Sequence, residues 1–404
     1  MKVINQTAAD FKIIDFTWPA GFYADGIHAG LRKQKLDMGW LYSSVPATAA
    51  GVYTTNQFQA APTQVTKKMI QTHHQLQALV LNSAIANSCT GALGLKNAQT
   101  TQQLAADVLE IDPELVGVAS TGLIGAQLPM PKIAAGLQKL QLTKNDKLPE
   151  AILTTDTKAK TISVALKLNG QVVTISGFCK GSGMIHPNMC TMLGFITTDA
   201  NIEAEALQTL LSEDTESTFN QITVDGDTST NDMVVALANG LADNTMIETD
   251  TKDYQKFGAA FHYIMAYLAK HIAADGEGAT KLIEVNVNHS ASTEEAQAVA
   301  KTIVGSNLVK SAIFGHDPNW GRIIAAIGQT KAVVDVAHVS VWLNGLPLIV
   351  DSVAADTEVA VLEKAMDTNQ IQIDVDLNAG PAKGQAWGCD LTYNYVKINA
   401  SYHT

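Results

Sequence analysis

The chain has 404 residues, 46% of them hydrophobic and only 16% charged, with 39 acidic against 27 basic side chains. The formal charge of −12 excludes the broad basic surface that non-specific nucleic-acid binding requires. So low a charged fraction points to a large core or extensive subunit contacts, and the length to two or three domains' worth of chain.

Residues 1–20 lack a basic stretch followed by a long apolar one, so no secretory signal is expected. No apolar run approaches the ~20 residues of a membrane span. Cys89, Cys179, Cys190 and Cys389 form neither a CxxC pair nor a zinc-like spacing. So few thiols in so long a chain suit a reducing compartment, and we expect a cytoplasmic protein. No cofactor motif and no metal centre is expected.

Residues 21–65 read as short strands and tight loops, and residues 77–82 as a buried strand followed by a polar loop to Gly91. Leu95 to Ile111 carries a helical period that Pro113 closes. Leu115 to Ala119 is a strand running into Ser120-Thr121-Gly122, a small turn where donors can face outward. Pro131 starts a helix reaching about Leu140. Residues 160–179 alternate on either side of Asn169-Gly170 and form a hairpin. The hairpin leads into Lys180-Gly181-Ser182-Gly183-Met184-Ile185-His186-Pro187-Asn188-Met189-Cys190-Thr191, a glycine-rich kinked loop in front of the strand-like Met192, Leu193, Phe195 and Ile196. Asn201 is expected to cap a helix, and Ile222 to Val224 to form a strand before the acidic loop at 225–232, whose residue order does not match a calcium loop. The clearest helix runs from Asp253 to Ile272 and ends at Asp275-Gly276-Glu277-Gly278.

Ser292 and Glu295 form a capping box for a helix to Val304. Gly315-His316-Asp317-Pro318-Asn319-Trp320-Gly321-Arg322 opens a further helix. A hairpin turns at Asn344-Gly345, a helix covers Val359–Met366, and residues 371–377 and 391–398 complete the chain as strands.

The segment from Lys180 to Ala200 resembles the self-cleavage segment of the ornithine acetyltransferase family, the glutamate N-acetyltransferases of arginine biosynthesis. The Thr-Gly at 121–122, the Thr-Thr-Asp at 154–156, the Asp-Gly-Glu-Gly at 275–278 and the motif at 315–322 resemble the same family, so the likeness runs nearly end to end. It implies an α+β, layered helix/sheet/sheet/helix architecture like that of N-terminal-nucleophile enzymes, with a smaller C-terminal α/β part. It also implies autocatalytic cleavage between Cys190 and Thr191, giving an alpha chain of residues 1–190 and a beta chain of residues 191–404. The small Cys190 stands where most relatives have Ala, and Ala84 and Ile85 stand where they usually have Gly and Asn.

By the same resemblance Thr191 is the nucleophile. A terminal Thr carries its hydroxyl and its own amine base on one residue. Thr121 and Gly122 map onto the oxyanion hole, and Thr154, Lys180, Glu277, Asn399 and Thr404 onto substrate-binding positions together with Thr191. The implied reaction moves acetyl from N2-acetylornithine to glutamate through acetyl-Thr191, with acetyl-CoA open as a second donor and no other cofactor. The implied assembly is a heterotetramer of two alpha and two beta chains. Two alternatives stay open: an N-terminal-nucleophile amidase or aminopeptidase that uses water as acceptor, and a non-catalytic binding protein.

Overall fold

The computed structural model describes residues 11–186 and 192–401. The first part of the chain contributes β1 (Phe11–Ile14), β2 (Phe22–Ile27), the long β3 (Met38–Tyr53), α1 (Ala61–His73), β4 (Gln75–Asn82), α2 (Gly91–Leu109), β5 (Val116–Ser120), α3 (Met130–Leu137), α4 (Lys147–Ala151), β6 (Lys160–Leu168) and β7 (Gln171–Lys180). Beyond the glycine-rich loop come β8 (Leu193–Thr198), α5 (Ala204–Ser217), β9 (Ile222–Thr223), β10 (Met233–Ala238) and α6 (Lys252–Ala274).

Nine strands form one sheet in the order β1-β6-β7-β8-β10-β3-β4-β5, with β2 also on β3. The register of β3 against β4 shifts between Tyr42 and Ala47. The first half of β3 pairs with β2 and its second half with β10, so the sheet folds over on itself there.

Alternation within single strands defines the layers, because successive side chains point to opposite faces. In β10, Val234, Ala236 and Ala238 pack with α5 and α6. Met233, Val235 and Leu237 instead face Leu41, Leu79 and Leu81 of the folded-over half. In β4, Ala78 and Val80 turn away from that interior to meet α1, α2 and α3. Three apolar cores thus separate four layers, helix/sheet/sheet/helix, as the resemblance implied.

The C-terminal part is built from β11 (Leu282–Ser290), α7 (Thr293–Gly305), α8 (Asn307–Phe314), α9 (Trp320–Gly328), β12 (Ser340–Leu343), β13 (Leu346–Val350), β14 (Val353–Ala354), α10 (Val359–Ala365), β15 (Gln370–Asp376), β16 (Ala382–Cys389) and α11 (Tyr393–Ser401). Its sheet runs β14-β13-β12-β15-β11-β16-β9, and Ile283, Val285 and Val287 bury against Val299, Ala300 and Ile303 of α7. The Ser292 hydroxyl caps α7 at the Glu295 N–H, as expected, but the Glu295 carboxylate bonds the Val333 N–H.

Two expectations are corrected. Asn201 does not cap α5: that helix starts at Ala204, while Asn201 N–H bonds Asn244 and Ile202 bridges to Ile247. Residues 391–398 are not a strand. Their alternating Leu391, Tyr393 and Tyr395 suggested a two-residue period, but the Thr392 hydroxyl accepts the Asn394 N–H and the chain turns into α11, a surface helix with no buried residue. Sequence reading also passed over α1 and β16. Gly384 and Gly388 lie in β16 against the backbone of α7, where a Cβ would clash, so this strand carries little of the usual apolar signature.

Candidate active site

One cavity of about 270 Å³ opens where β5, β7, β8, β10, the end of α6 and α11 converge. Thr121, Gly122, Thr154, Lys180, Glu277 and Asn399 all line it, so the fold brings together six positions drawn from five separated segments. Met192 and Leu193, which directly follow Thr191 in the chain, line it too. Cys190, Thr191 and Thr404 themselves lie outside the described residues.

The turn after β5 is templated by the loop after β4. Thr121 N–H donates to the Asn82 carbonyl at 3.0 Å, and Leu123 N–H to that of Ala84 at 2.9 Å. The donors Thr121 and Gly122 can offer the cavity are therefore the Thr121 hydroxyl and the Gly122 N–H. Gly122 has a φ of +125°, and a Cβ there would stand 2.2 Å from the Ala84 carbonyl carbon, so this turn admits only glycine. Lys180, the last residue of β7, points its Nζ to the Thr121 hydroxyl at 3.5 Å. Both residues are largely buried.

The glycine-rich loop is pinned on two sides. Asp225 accepts from the Met184 and Ile185 N–H groups at 2.6 and 2.8 Å. On the other side Glu277 N–H donates to the Ser182 carbonyl at 2.9 Å, and the Ser182 hydroxyl to that of Asp275. A Cβ on Gly183 would lie 2.4 Å from the Glu277 carboxyl, so the glycine makes room for that acid. Asn399 reaches from α11 and donates to Glu277 Oε2 at 2.7 Å.

Behind the wall lies a buried ion bridge. Lys160 Nζ sits 2.7 Å from Asp156 Oδ1 and 2.6 Å from Asp275 Oδ2. Burial alone would raise the Asp156 carboxyl, but Lys180, Lys160 and the Gly181 N–H hold it down at about 2. Burial pushes the Asp232 carboxyl the other way, well above the carboxylate range, with Ser229 and Lys180 offsetting part of that. Among the described residues Asp232 Oδ2 has no hydrogen-bond partner, and Asp232 lines the cavity next to the start of β10. Burial, with Asp225 and Glu277 nearby, pushes the Tyr395 phenol upward at the cavity rim.

Sequence reading missed Asp156, Lys160, Asp225, Asp232, Asp275 and Tyr395 as members of this assembly. Asp156, Asp275 and Asp225 stood in motifs it did single out, so a signal existed; the pairing across more than a hundred positions did not. Among the described residues no cluster of three or more His, Cys, Asp or Glu is placed to hold a metal ion. No helix of the described residues is long and apolar enough to cross a membrane.

The charge and donor arrangement can hold a carboxylate at Lys180, stabilise an oxyanion at Thr121 and Gly122, and receive an amine at Glu277. Comparison with known proteins identifies the family. The ArgJ family model matches residues 23–404. The "Arginine biosynthesis bifunctional protein ArgJ" of Lactiplantibacillus plantarum is 62% identical over 404 residues, covering 100% of both chains. That of Streptococcus mutans is 53% identical over 396 residues, 97% of this chain and 100% of the relative. The crystal structure of the protein so named from Bacillus halodurans is 49% identical with a TM-score of 0.52, and covers 52% of this chain and 100% of the solved one. The chain therefore belongs to the ArgJ family, the acyltransferases of arginine biosynthesis.

Proposed function

We propose that the bond between Cys190 and Thr191 is cut autocatalytically and that Thr191 then carries acetyl from N2-acetylornithine to glutamate. The observation that carries this reading is the convergence of Thr121, Gly122, Thr154, Lys180, Glu277 and Asn399 on one cavity into which the chain directly after Thr191 also runs. The length of the solved Bacillus halodurans chain supports the cut, since it matches 52% of this chain and a piece beginning at Thr191 is about 53% of it.

In the first step the Thr191 hydroxyl attacks the Cys190 carbonyl. The Cys190–Thr191 C–N bond breaks and its nitrogen takes the hydroxyl proton, which frees the Thr191 α-amine and leaves Cys190 as an ester on Thr191 Oγ; water then hydrolyses that ester, restoring the hydroxyl, releasing the Cys190 carboxylate and dividing the chain into residues 1–190 and 191–404. An α-amine titrates near ~7.7–8.0 and a lysine near ~10.4, so at neutral pH the new terminus offers a base without a large shift. In the transfer, Thr191 Oγ bonds the acetyl carbonyl carbon and its proton passes to the α-amine. The Thr121 hydroxyl and Gly122 N–H receive the oxyanion, each donor typically contributing roughly 2.7–4 kcal/mol. The C–N bond to ornithine breaks, and the amine returns its proton to the leaving nitrogen. Glutamate enters, its neutral α-amine attacks the acetyl ester, and Thr191 Oγ regains a proton.

Both amino acids present an α-carboxylate, which Lys180 holds, while Glu277, steadied by Asn399, orients the reacting amine. Thr154 and Thr404 complete the substrate contacts. Acetyl-CoA as a second donor to Thr191 accounts for the word bifunctional in the relatives' names. The chemistry requires no metal and no further cofactor. Two copies of each piece make the working assembly, and unpaired thiols suit the cytoplasm.

The test is a denaturing gel with N-terminal sequencing, followed by turnover. Wild-type protein is expected as two bands, the smaller-numbered piece ending at Cys190 and the other starting at Thr191. Thr191→Ala is expected as one uncut band without acetyl transfer. Acetate release that does not depend on glutamate would reassign the enzyme as a hydrolase, and normal turnover by Thr191→Ala would end the proposal.

A further inference from the structure

The Asp156–Lys160–Asp275 bridge takes no part in the chemistry above, yet it touches three of the segments that carry it. Its side chains are 0%, 0% and 5% exposed. Asp156 Oδ1 accepts from Lys160 at 2.7 Å and from the Gly181 N–H at 2.7 Å, directly after Lys180. Asp156 Oδ2 accepts from the Thr154 N–H at 3.1 Å. Asp275 Oδ2 accepts from the same Lys160 Nζ at 2.6 Å and from the Thr157 N–H at 3.1 Å. Four buried or nearly buried charges thus stand together: Lys160, Lys180, Asp156 and Asp275. Only Lys180 of these lines the cavity.

The two carboxylates are not equivalent. Asp156 is fastened to the residue that follows Lys180 and to the backbone of Thr154. The Asp275 carboxylate is fastened to Thr157 and to Lys160, and the residue meets the glycine-rich loop through its backbone carbonyl, which accepts from the Ser182 hydroxyl. An ammonium buried without a nearby opposite charge is unfavourable, and a carboxylate held close to it offsets that burial; Lys180 is in turn among the groups that hold the Asp156 carboxyl low.

We propose that Asp156 is the counter-ion and positioning residue of Lys180, and that it governs, through Lys180, how strongly the site recognises a substrate α-carboxylate. The inference rests on the reading of Lys180 as the partner of that carboxylate. Asp156 touches no substrate itself. It fixes the direction of the chain at Gly181 and supplies the negative charge against which the Lys180 ammonium is held. Asp275 serves the bridge as a structural anchor.

The experiment compares kcat/KM for N2-acetylornithine with that for its α-carboxamide, at saturating glutamate, in the cleaved enzyme. A charge-assisted contact predicts that the wild-type prefers the carboxylate by about 10–100-fold, and that Lys180→Met shows about no preference. Asp156→Asn is expected to bring the preference to within a few-fold, close to Lys180→Met. Asp275→Asn is expected to lower thermal stability yet keep the wild-type preference, which a merely structural bridge would not allow.

Should Asp156→Asn fail to fold, the pair Asp156→Asn with Lys160→Met removes one charge of each sign and is read in the same way. An undiminished preference in either Asp156 variant overturns the inference, as does an equal collapse in Asp275→Asn. A wild-type enzyme without preference, or Lys180→Met that retains it, overturns the reading of Lys180 and the inference with it.

Discussion

Ala84 holds a φ of +79°, a conformation that costs an L-residue with a Cβ about 1–2 kcal/mol. It does so because its carbonyl must meet the Leu123 N–H to shape the Thr121–Gly122 turn. Ala84→Gly should relieve the backbone and give back about 0.4–1 kcal/mol of that to unfolded-chain freedom. The expected result is a net gain of up to about 1.6 kcal/mol in urea unfolding, with acetyl transfer little changed. A destabilised variant would mean that the Ala84 methyl makes packing contacts worth more than the strain. At this scale the sequence was legible wherever a residue sat in a local motif: Thr121, Gly122, Lys180 and Glu277 could each be picked out. Lys160 could not: Asp156 stands four positions before it, but its second partner Asp275 lies 115 positions away, and no local pattern announces the three-membered bridge. Asp232 stood in the acidic loop at 225–232, but nothing local set it apart from Asp225 and Asp227. Its character comes from complete burial beside the cavity, which only the assembled fold creates.

Helices and strands were legible to the extent that one face is apolar. α6 repeats its buried Phe257, Phe261, Ile264, Leu268 and Ile272 at helical steps and was readable throughout. α11 has no fully buried residue, so it had no such stripe to show, and its aromatic alternation imitated a strand. Its placement is nevertheless purposeful, since Tyr395 and Asn399 both line the cavity and Asn399 bonds Glu277. An element that adds site contacts but no core should be separable from stability. Ending the chain after Thr392 is therefore expected to leave the thermal midpoint nearly unchanged and to raise KM for acetylornithine about tenfold, the size of a lost charge-assisted hydrogen bond. Parallel melting curves and initial rates decide it. A truncated protein that unfolds at a much lower temperature would show that α11 supports the fold.

For the whole molecule, the decisive feature is where the strands on either side of residue 191 lie. β8 pairs antiparallel with β7, from Ile175 against Thr198 to Lys180 against Leu193, and parallel with β10. β10 in turn pairs antiparallel with β3, from Met233 against Tyr53 to Ala238 against Thr48. Two strands that follow Thr191 are thus inserted between β7 and β3, which both precede it. The apolar interior between the sheet halves is equally shared: Leu41 and Leu79 come from before the junction, Phe195 and Val235 from after it. A cut before Thr191 breaks one covalent bond and none of these ladders. Neither piece holds the nine-stranded sheet complete: residues 1–190 lack its central strands and residues 191–404 lack both its flanks. An enzyme cut there should therefore elute as one species in native size exclusion and melt in one cooperative transition, its pieces parting only in denaturant. Residues 1–190 produced alone should show no cooperative melt, and active enzyme should return only when both pieces are folded together. Pieces that separate under native conditions would mean that the interleaved sheet does not survive the cut, and the terminal Thr191 would then have no cavity to serve.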